Sequence, residues 1–169
     1  MDHQLRLLAD WISKTALSNW FASQEWVVPT SQSIHIICVA IVFGSVLMIS
    51  LRLLGVSASG RPVSQVVQTL APWIYRALIV LLITGTVQTI TEPLRQFVTP
   101  EFWWKMFMII IALGLTLWLE RKVRNNAAEW DAPDRRPASA RLFAVVWLAL
   151  WIGIIYCGRF IGYVWSFYT

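Results

Sequence analysis

Among the side chains within or near the ends of long apolar runs, five could ligate a metal or carry a charge in one layer of a membrane protein: His35, Cys38, Lys105, Cys157 and Arg159. A neutral imidazole is a ligand for haem iron and for copper, and a thiolate is a soft ligand that favours Cu(I). An ionisable group inside a bilayer costs several kcal/mol unless it is paired or solvated. Each of these residues is therefore a candidate functional residue.

The elements that must position them are four apolar runs, each near the ~20 residues that a membrane-spanning helix needs. Hydrophobic residues make up 57% of the 169-residue chain and charged residues only 14%, a balance that excludes an ordinary soluble globule. We predict an all-α integral membrane four-helix bundle, a single membrane domain over residues 1–169. The predicted spans are 33–54, 72–90, 102–119 and 142–163.

An amphipathic segment precedes the first span. Leu5, Leu8, Trp11 and Ile12 recur at helical spacing with polar residues between them, which predicts an interfacial helix, or two short ones, within residues 1–29. Between the second and third spans, prolines at 93 and 100 predict the end of one helix and the start of the next, and this short link predicts a hairpin of the two spans.

Charge distribution predicts the orientation. The net charge is +5, but the basic residues crowd the ends of the apolar runs, as membrane anchors do, which argues against nucleic-acid binding. The connections 55–71 and 120–141 hold more basic residues than the opposite side. The positive-inside rule therefore predicts cytoplasmic loops there and both termini outside, at the periplasmic face of a bacterial inner membrane.

This orientation gathers the uncommon polar residues of all four spans into one outer layer. Gln32 and His35 come from the first span, Thr84 and Gly85 from the second, Trp104 and Lys105 from the third, and Cys157, Gly158, Arg159 and Tyr163 from the fourth. Simpler interpretations stay open, because lysine and arginine near a span end reach the headgroups, threonines bond back to their own helix, and glycines mark close packing.

The two cysteines allow a second kind of site. Cys38 lies one turn after His35, and Cys157 is at a similar depth on the fourth span. His35, Cys38 and Cys157 could therefore form a soft copper site, with Met106 or Met108 as a further possible ligand. The alternative is that both thiols are simply small buried hydrophobic groups.

Several short motifs resemble those of an uncharacterised bacterial family of four-span membrane proteins. They are the first-span histidine, LRLLG at 51–55, TG at 84–85, FWWK at 102–105 and GRFIGY at 158–163. Gln32 and Ser50 stand where that family usually has acidic residues. Gln32 brings no charge to His35, which argues against a proton-linked role.

A weaker likeness extends to the four-span membrane protoporphyrinogen oxidases and the copper resistance D type proteins. Both also place a histidine early in the first span. The oxidase group has an arrangement similar to His35, Gly85 and Lys105 and binds haem b, so the likeness implies haem for this chain. A further histidine that those oxidases carry after the lysine is missing here, and we do not extend their activity to this chain.

These observations favour a protein that binds b-type haem near the outer face for electron transfer or redox sensing within a larger assembly. His35 is the expected axial ligand, Lys105 or a methionine the second ligand, and Arg159 a partner for a propionate, with Trp103, Trp104 and Tyr163 as walls. No acid–base pair or nucleophile arrangement defines an enzyme. A copper carrier and a non-catalytic structural subunit remain alternatives, with lipid and either a second copy or a membrane complex as partners.

Overall fold

The computed structural model describes residues 2–56, 60–132 and 139–164. Within these residues the chain is almost entirely helical and contains no strand. Eight helices follow one another along the described chain: α1 Asp2–Ser13, α2 Ala16–Ser23, α3 Val27–Leu54, α4 Val63–Thr91, α5 Pro93–Phe97, α6 Pro100–Asn125, α7 Ala127–Asp131 and α8 Ser139–Val164. The prediction of an all-α membrane helical bundle is confirmed.

Four of these helices, α3, α4, α6 and α8, are long and apolar enough to cross a membrane. At 1.5 Å per residue, the 28 residues of α3 extend about 42 Å, which exceeds a hydrocarbon core of about 30 Å. Large apolar side chains such as Ile36, Ile79, Leu82 and Ile110 are exposed on their outer surfaces. Because water would penalise so much exposed apolar surface, the environment of the bundle is a lipid bilayer.

The four long helices form a closed ring. α3 packs most extensively against α4 and also contacts α8, while α6 packs against α8 and, less extensively, against α4. The predicted neighbours α4 and α6 are therefore in contact, but the larger surface of α6 faces α8. Apolar side chains from all four helices fill the centre: Val42, Val46, Ile49, Ile74, Leu119, Ala144 and Trp147.

The short helices mark the two ends of the bundle. α5 lies between α4 and α6 and packs against α1, while Ser18 of α2 donates a hydrogen bond to the carbonyl of Ile90 at the end of α4 (2.8 Å). We call this the α5 end. At the other end, α7 contacts both α4 and α6, and we call it the α7 end. The segment predicted to hold one interfacial helix, or two short ones, contains the two helices α1 and α2.

The helices extend beyond the predicted spans at three places. α3 begins at Val27, six residues before the predicted span 33–54, and α6 continues to Asn125, beyond the predicted span 102–119. The connection predicted as a loop over 55–71 is helical from Val63, so that Pro72 lies inside α4. The physical reason is an amphipathic pattern in which Val63, Val67 and Ala71 are buried at four-residue intervals. The rest of the two predicted loops includes 57–59 and 133–138, which lie outside the described residues.

A side chain from α7 explains why α4 begins so early. Both carboxylate oxygens of Asp131 accept hydrogen bonds from Ser64, one from its backbone N–H (2.8 Å) and one from its hydroxyl (2.7 Å). The first N–H groups of a helix have no partner within the helix, and an anion there is favoured by the helix dipole. Asp131 therefore caps α4 from a distance of 67 residues along the chain.

Candidate functional site

The centre of the candidate site is a hydrogen bond between α3 and α4. Nδ1 of His35 lies 2.8 Å from Oγ1 of Thr84, and the Thr84 hydroxyl also lies 2.9 Å from the carbonyl oxygen of Val80. A hydroxyl has one proton, and a threonine in a helix commonly donates it to the carbonyl one turn earlier. Oγ1 then accepts from Nδ1–H of the imidazole. In this tautomer, Nε2 of His35 keeps its lone pair.

A glycine beside Thr84 gives the imidazole its space. A Cβ atom placed on Gly85 would lie 3.6 Å from Cε1 of His35, so the ring of His35 rests on the backbone of α4. Thr84 itself is buried, with 6% of its surface exposed, and His35 is half-buried. The ring is therefore held on one side by a hydrogen bond and a backbone surface.

Lys105 approaches from α6. It is half-buried, and the space for its side chain is provided by Gly158 of α8, where an added Cβ would lie 3.7 Å from the Lys105 Nζ. The charge of Lys105 acts on both His35 and Cys157. Each of the four spanning helices thus contributes a polar group, and these are His35, Thr84, Lys105 and Cys157.

A second cation lies nearby at the same end of the bundle. Arg95 of α5 donates a hydrogen bond to the carboxylate of Glu92 (2.7 Å), and its Nη2 would lie 2.9 Å from a Cβ placed on Gly162. Sequence reasoning did not select Arg95. The sequence did contain one indication of a second cation. Gly158 and Gly162 are four residues apart, which places two positions without a side chain on one face of α8.

Four predicted site residues make no contact with this cluster among the contacts of the described residues. They are Gln32, Trp104, Arg159 and Tyr163. Gln32 is exposed on α3, and Trp104 is exposed and packs edge-to-face on Phe107. Arg159 donates a hydrogen bond to the hydroxyl of Tyr163 (2.9 Å), and both side chains lie on the exposed surface of α8. They share the depth of His35 but face away from the bundle centre.

Trp103, predicted as a wall of the site, has a structural role. Its indole N–H donates to the carbonyl of Phe97 (3.1 Å), and its ring packs edge-to-face on Phe102. These contacts fix the turn between α5 and α6. Since Arg95 is on α5 and Lys105 on α6, they also fix the helices that carry the two cations.

The alternative copper ligands are not assembled. Across the described residues, no group of three His, Cys, Asp or Glu side chains lies close enough to hold a metal ion, and His35, Cys38 and Cys157 are all among those residues. Cys38 is buried in the apolar core, and Cys157 is half-buried beside Lys105. Both thiols are free of disulfide bonds.

The sequence profile of a protein family, DUF6644, described as a family of unknown function, matches residues 11–164. The chain belongs to this family. The match includes all four spanning helices and every residue of the His35 site, which agrees with the resemblance to an uncharacterised family. No curated protein and no solved structure matches the chain, so the weaker likeness to the oxidases and the copper resistance proteins stays a prediction.

Proposed function

We propose that this DUF6644 protein binds a b-type haem at the α5 end of its bundle, with His35 as an axial ligand, and transfers or senses electrons within a membrane assembly. The supporting observation is the bond between His35 and Thr84. Histidines that ligate metals usually donate their other ring N–H to an oxygen, which fixes the tautomer and the orientation of the ring. Thr84 does this for His35.

Other residues at the α5 end suit the same ligand, although Arg159 lies on the exposed face of α8 and not in the cluster itself. Lys105 lies on a different helix from His35 and would supply a second axial nitrogen once its amine is unprotonated. Haem carries two propionates, and Arg159 or Arg95 at the α5 end would meet their charge. When bound, haem supplies one-electron chemistry, and the chain's own part is to orient its ligand and set the surrounding polarity.

The test is a visible absorption spectrum of the purified protein, expressed with a supply of haem. We expect a Soret band and a sharpened α-band on reduction. His35→Ala should remove these bands, whereas His3→Ala should retain them, because His3 is the only other histidine and lies on α1. Thr84→Val should keep the bands but shift the reduction potential, since the ligand loses its oriented partner.

Two results would overturn the proposal. A wild-type protein that binds no haem when haem is supplied, or a His35→Ala variant with an unchanged spectrum, would exclude ligation by His35. If the colourless protein then binds Cu(I) and loses it in Cys38→Ser, the copper alternative gains. If neither metal binds, the polar cluster joins helices in a structural subunit.

A further inference from the structure

A second polar layer lies one helical turn closer to the α5 end than the His35 site. Ser31 precedes His35 by four residues on α3, and Gln88 follows Thr84 by four residues on α4. Four residues of a helix rise about 6 Å and bring the side chain back to the same helix face. Because the bond between His35 and Thr84 joins α3 to α4, Ser31 and Gln88 continue the same two facing surfaces.

The other side of this layer comes from α5 and α6. Glu101 precedes Lys105 by four residues on α6. Gly162 follows by four residues the glycine that Lys105 covers, and Arg95 of α5 covers Gly162. Arg95 and Glu101 are therefore one turn nearer the α5 end than Lys105. The second polar layer consists of Ser31, Gln88, Arg95 and Glu101.

Each residue of the second polar layer has a buried polar atom with no hydrogen-bond partner among the described residues. These atoms are Oγ of Ser31, Nε2 of Gln88, Nε of Arg95 and Oε2 of Glu101. Buried polar atoms in folded proteins nearly always have a partner, since an unsatisfied one costs ~1–3 kcal/mol. Four such atoms at one depth, from four helices, indicate a polar ligand that they share.

Ser31 shows that its own helix does not satisfy this layer. Its side chain is buried, with 8% of the residue surface exposed. A serine within a helix commonly donates its hydroxyl to the carbonyl one turn earlier, as Ser33 does to Pro29 (2.8 Å). Within the described chain, Oγ of Ser31 makes no such bond. Its hydroxyl is therefore directed to a partner inside the bundle.

Water is the ligand that suits these four groups together. Ser31, Gln88 and Arg95 offer hydrogen-bond donors, and the carboxylate of Glu101 is an acceptor. A metal cation would meet the guanidinium of Arg95, and an anion would meet the carboxylate of Glu101, so neither suits the whole set. A water molecule both donates and accepts, and buried water typically makes about three hydrogen bonds to polar groups that have no other partner.

We propose that water molecules bridge the second polar layer and that protons pass through them between Lys105 and the aqueous phase at the α5 end. Glu101 is the group of the layer that takes and releases the proton. One proton leaves the ammonium of Lys105, which becomes a neutral amine, and protonates the carboxylate of Glu101 through water. Glu101 then returns to a carboxylate when it gives the proton to the aqueous phase.

The charges around Glu101 agree with this role. The charges of Glu101 and Lys105 both act on Cys157 of α8, which places the two residues on one side of α6. The other titratable or charged groups at this end of the helices around α6 are His35, Glu92 and Arg95, and Arg95 is paired with Glu92 (2.7 Å). This proposal goes beyond haem binding and does not require it, because every group in the route belongs to the chain.

Hydration is tested by hydroxyl-radical footprinting of the full-length protein in lipid nanodiscs prepared without haem. X-ray radiolysis of water oxidises side chains beside bound water, and mass spectrometry locates the products. Cys157 reports on the layer, and Cys38 in the apolar core is the internal control. We expect oxidation of Cys157 but not of Cys38, and Ser31→Ala and Glu101→Leu should remove most of it.

Matched controls lie at the same end of the bundle. Ser33→Ala replaces an exposed serine whose hydroxyl bonds to its own helix, and Glu25→Leu replaces an exposed glutamate between α2 and α3. Both controls should retain the oxidation of Cys157. Ser31→Ala removes a single oxygen atom, so it keeps the test decisive if Glu101→Leu fails to fold, which circular dichroism would show.

Proton transfer is tested by nitrogen NMR of protein labelled at its three lysines, Lys14, Lys105 and Lys122. The measured quantity is the rate at which the Lys105 amine hydrogens exchange with water. Glu101→Gln keeps a hydrogen-bonding group but cannot carry a proton. It should leave the oxidation of Cys157 unchanged and slow this exchange about 100-fold, the lower end of what a positioned acid or base contributes. Glu25→Gln should change neither quantity.

Three outcomes would overturn the proposal. The first is a wild-type protein in which Cys157 is no more oxidised than Cys38. The second is an equal loss of oxidation in Ser31→Ala and Ser33→Ala. The third is exchange at the wild-type rate in Glu101→Gln, which would exclude Glu101 as the proton carrier. No haem is present in these experiments, so their failure and the absence of a Soret band are separate results.

Discussion

Replacing Thr84 with valine tests whether the bond between His35 and Thr84 holds α3 to α4. Valine has nearly the shape of threonine and carries a methyl group in place of the hydroxyl, so no cavity forms at this buried position. Nδ1 of His35 then loses the acceptor that lies 2.8 Å away. The variant should therefore be less stable for electrostatic reasons and not because of a cavity.

The magnitude has two parts. Hydrogen bonds between membrane helices contribute about 0.6 kcal/mol on average and up to ~1.7 kcal/mol. A buried donor left without an acceptor costs ~1–3 kcal/mol, but His35 is only half-buried, so water or lipid headgroups recover part of this. We expect Thr84→Val to lower the free energy of unfolding by about 1–2 kcal/mol.

Thr86→Val is the control that isolates the interhelical bond. Thr86 is two residues away and exposed, and among the described residues its hydroxyl bonds only to the carbonyl of Leu82 (2.8 Å), just as the Thr84 hydroxyl bonds to Val80. Both variants therefore lose one bond within the helix, and only Thr84→Val also loses a bond to α3. Unfolding by sodium dodecyl sulfate in mixed micelles, followed by far-UV circular dichroism, gives both free energies.

Equal free energies of unfolding for the two valine variants would refute this reasoning. A double-mutant cycle sharpens the result, because Thr84→Val should cost less in a His35→Phe background, where no donor remains. Nitrogen NMR of the imidazole provides an independent measurement. The wild type should show the proton on Nδ1, and Thr84→Val should move the population towards the other tautomer.

Two further substitutions test contacts at and towards the α7 end. Asp131→Ala removes the cap of α4 and should destabilise the bundle by about 1–2 kcal/mol in the same unfolding assay. Glu129→Ala, at an exposed neighbouring position, should change the free energy of unfolding little. Equal effects of the two variants would contradict the role of Asp131 as a cap. Tyr75→Phe removes the hydrogen bond that the phenol donates to Glu120 between α4 and α6 (2.6 Å). It should cost ~1 kcal/mol, and unchanged stability would show that this bond contributes nothing.

The sequence predicts the number and order of the spans because each spanning helix needs an apolar run long enough to cross the bilayer. It does not predict their ends as well. The segment 63–71 contains enough glutamine, serine and threonine to resemble a loop, and only its buried face of Val63, Val67 and Ala71 shows that it is helical. The cap from Asp131 was not predictable, because it joins residues that are far apart in the chain.

The sequence predicts how deep in the membrane each candidate site residue lies, but not which way its side chain points. A rise of 1.5 Å per residue fixes how deep a side chain lies, so the sequence predicts a similar depth for His35, Lys105 and Arg159. Each residue also turns by about 100° around the helix axis, and the chain alone does not say which face meets which helix. For this reason Arg159 and Tyr163 have the right depth but lie on the exposed face.

The glycines explain how polar side chains are accommodated at the α5 end. Small residues in membrane helices usually allow two backbones to approach. Here each gap receives the polar tip of a side chain from another helix: His35 at Gly85, Lys105 at Gly158 and Arg95 at Gly162. Every pairing joins different helices, so no local spacing reveals it. The polar cluster therefore depends as much on the missing Cβ atoms as on the charged groups, and a glycine opposite an ionisable residue at equal depth is the sequence signal to seek in related chains.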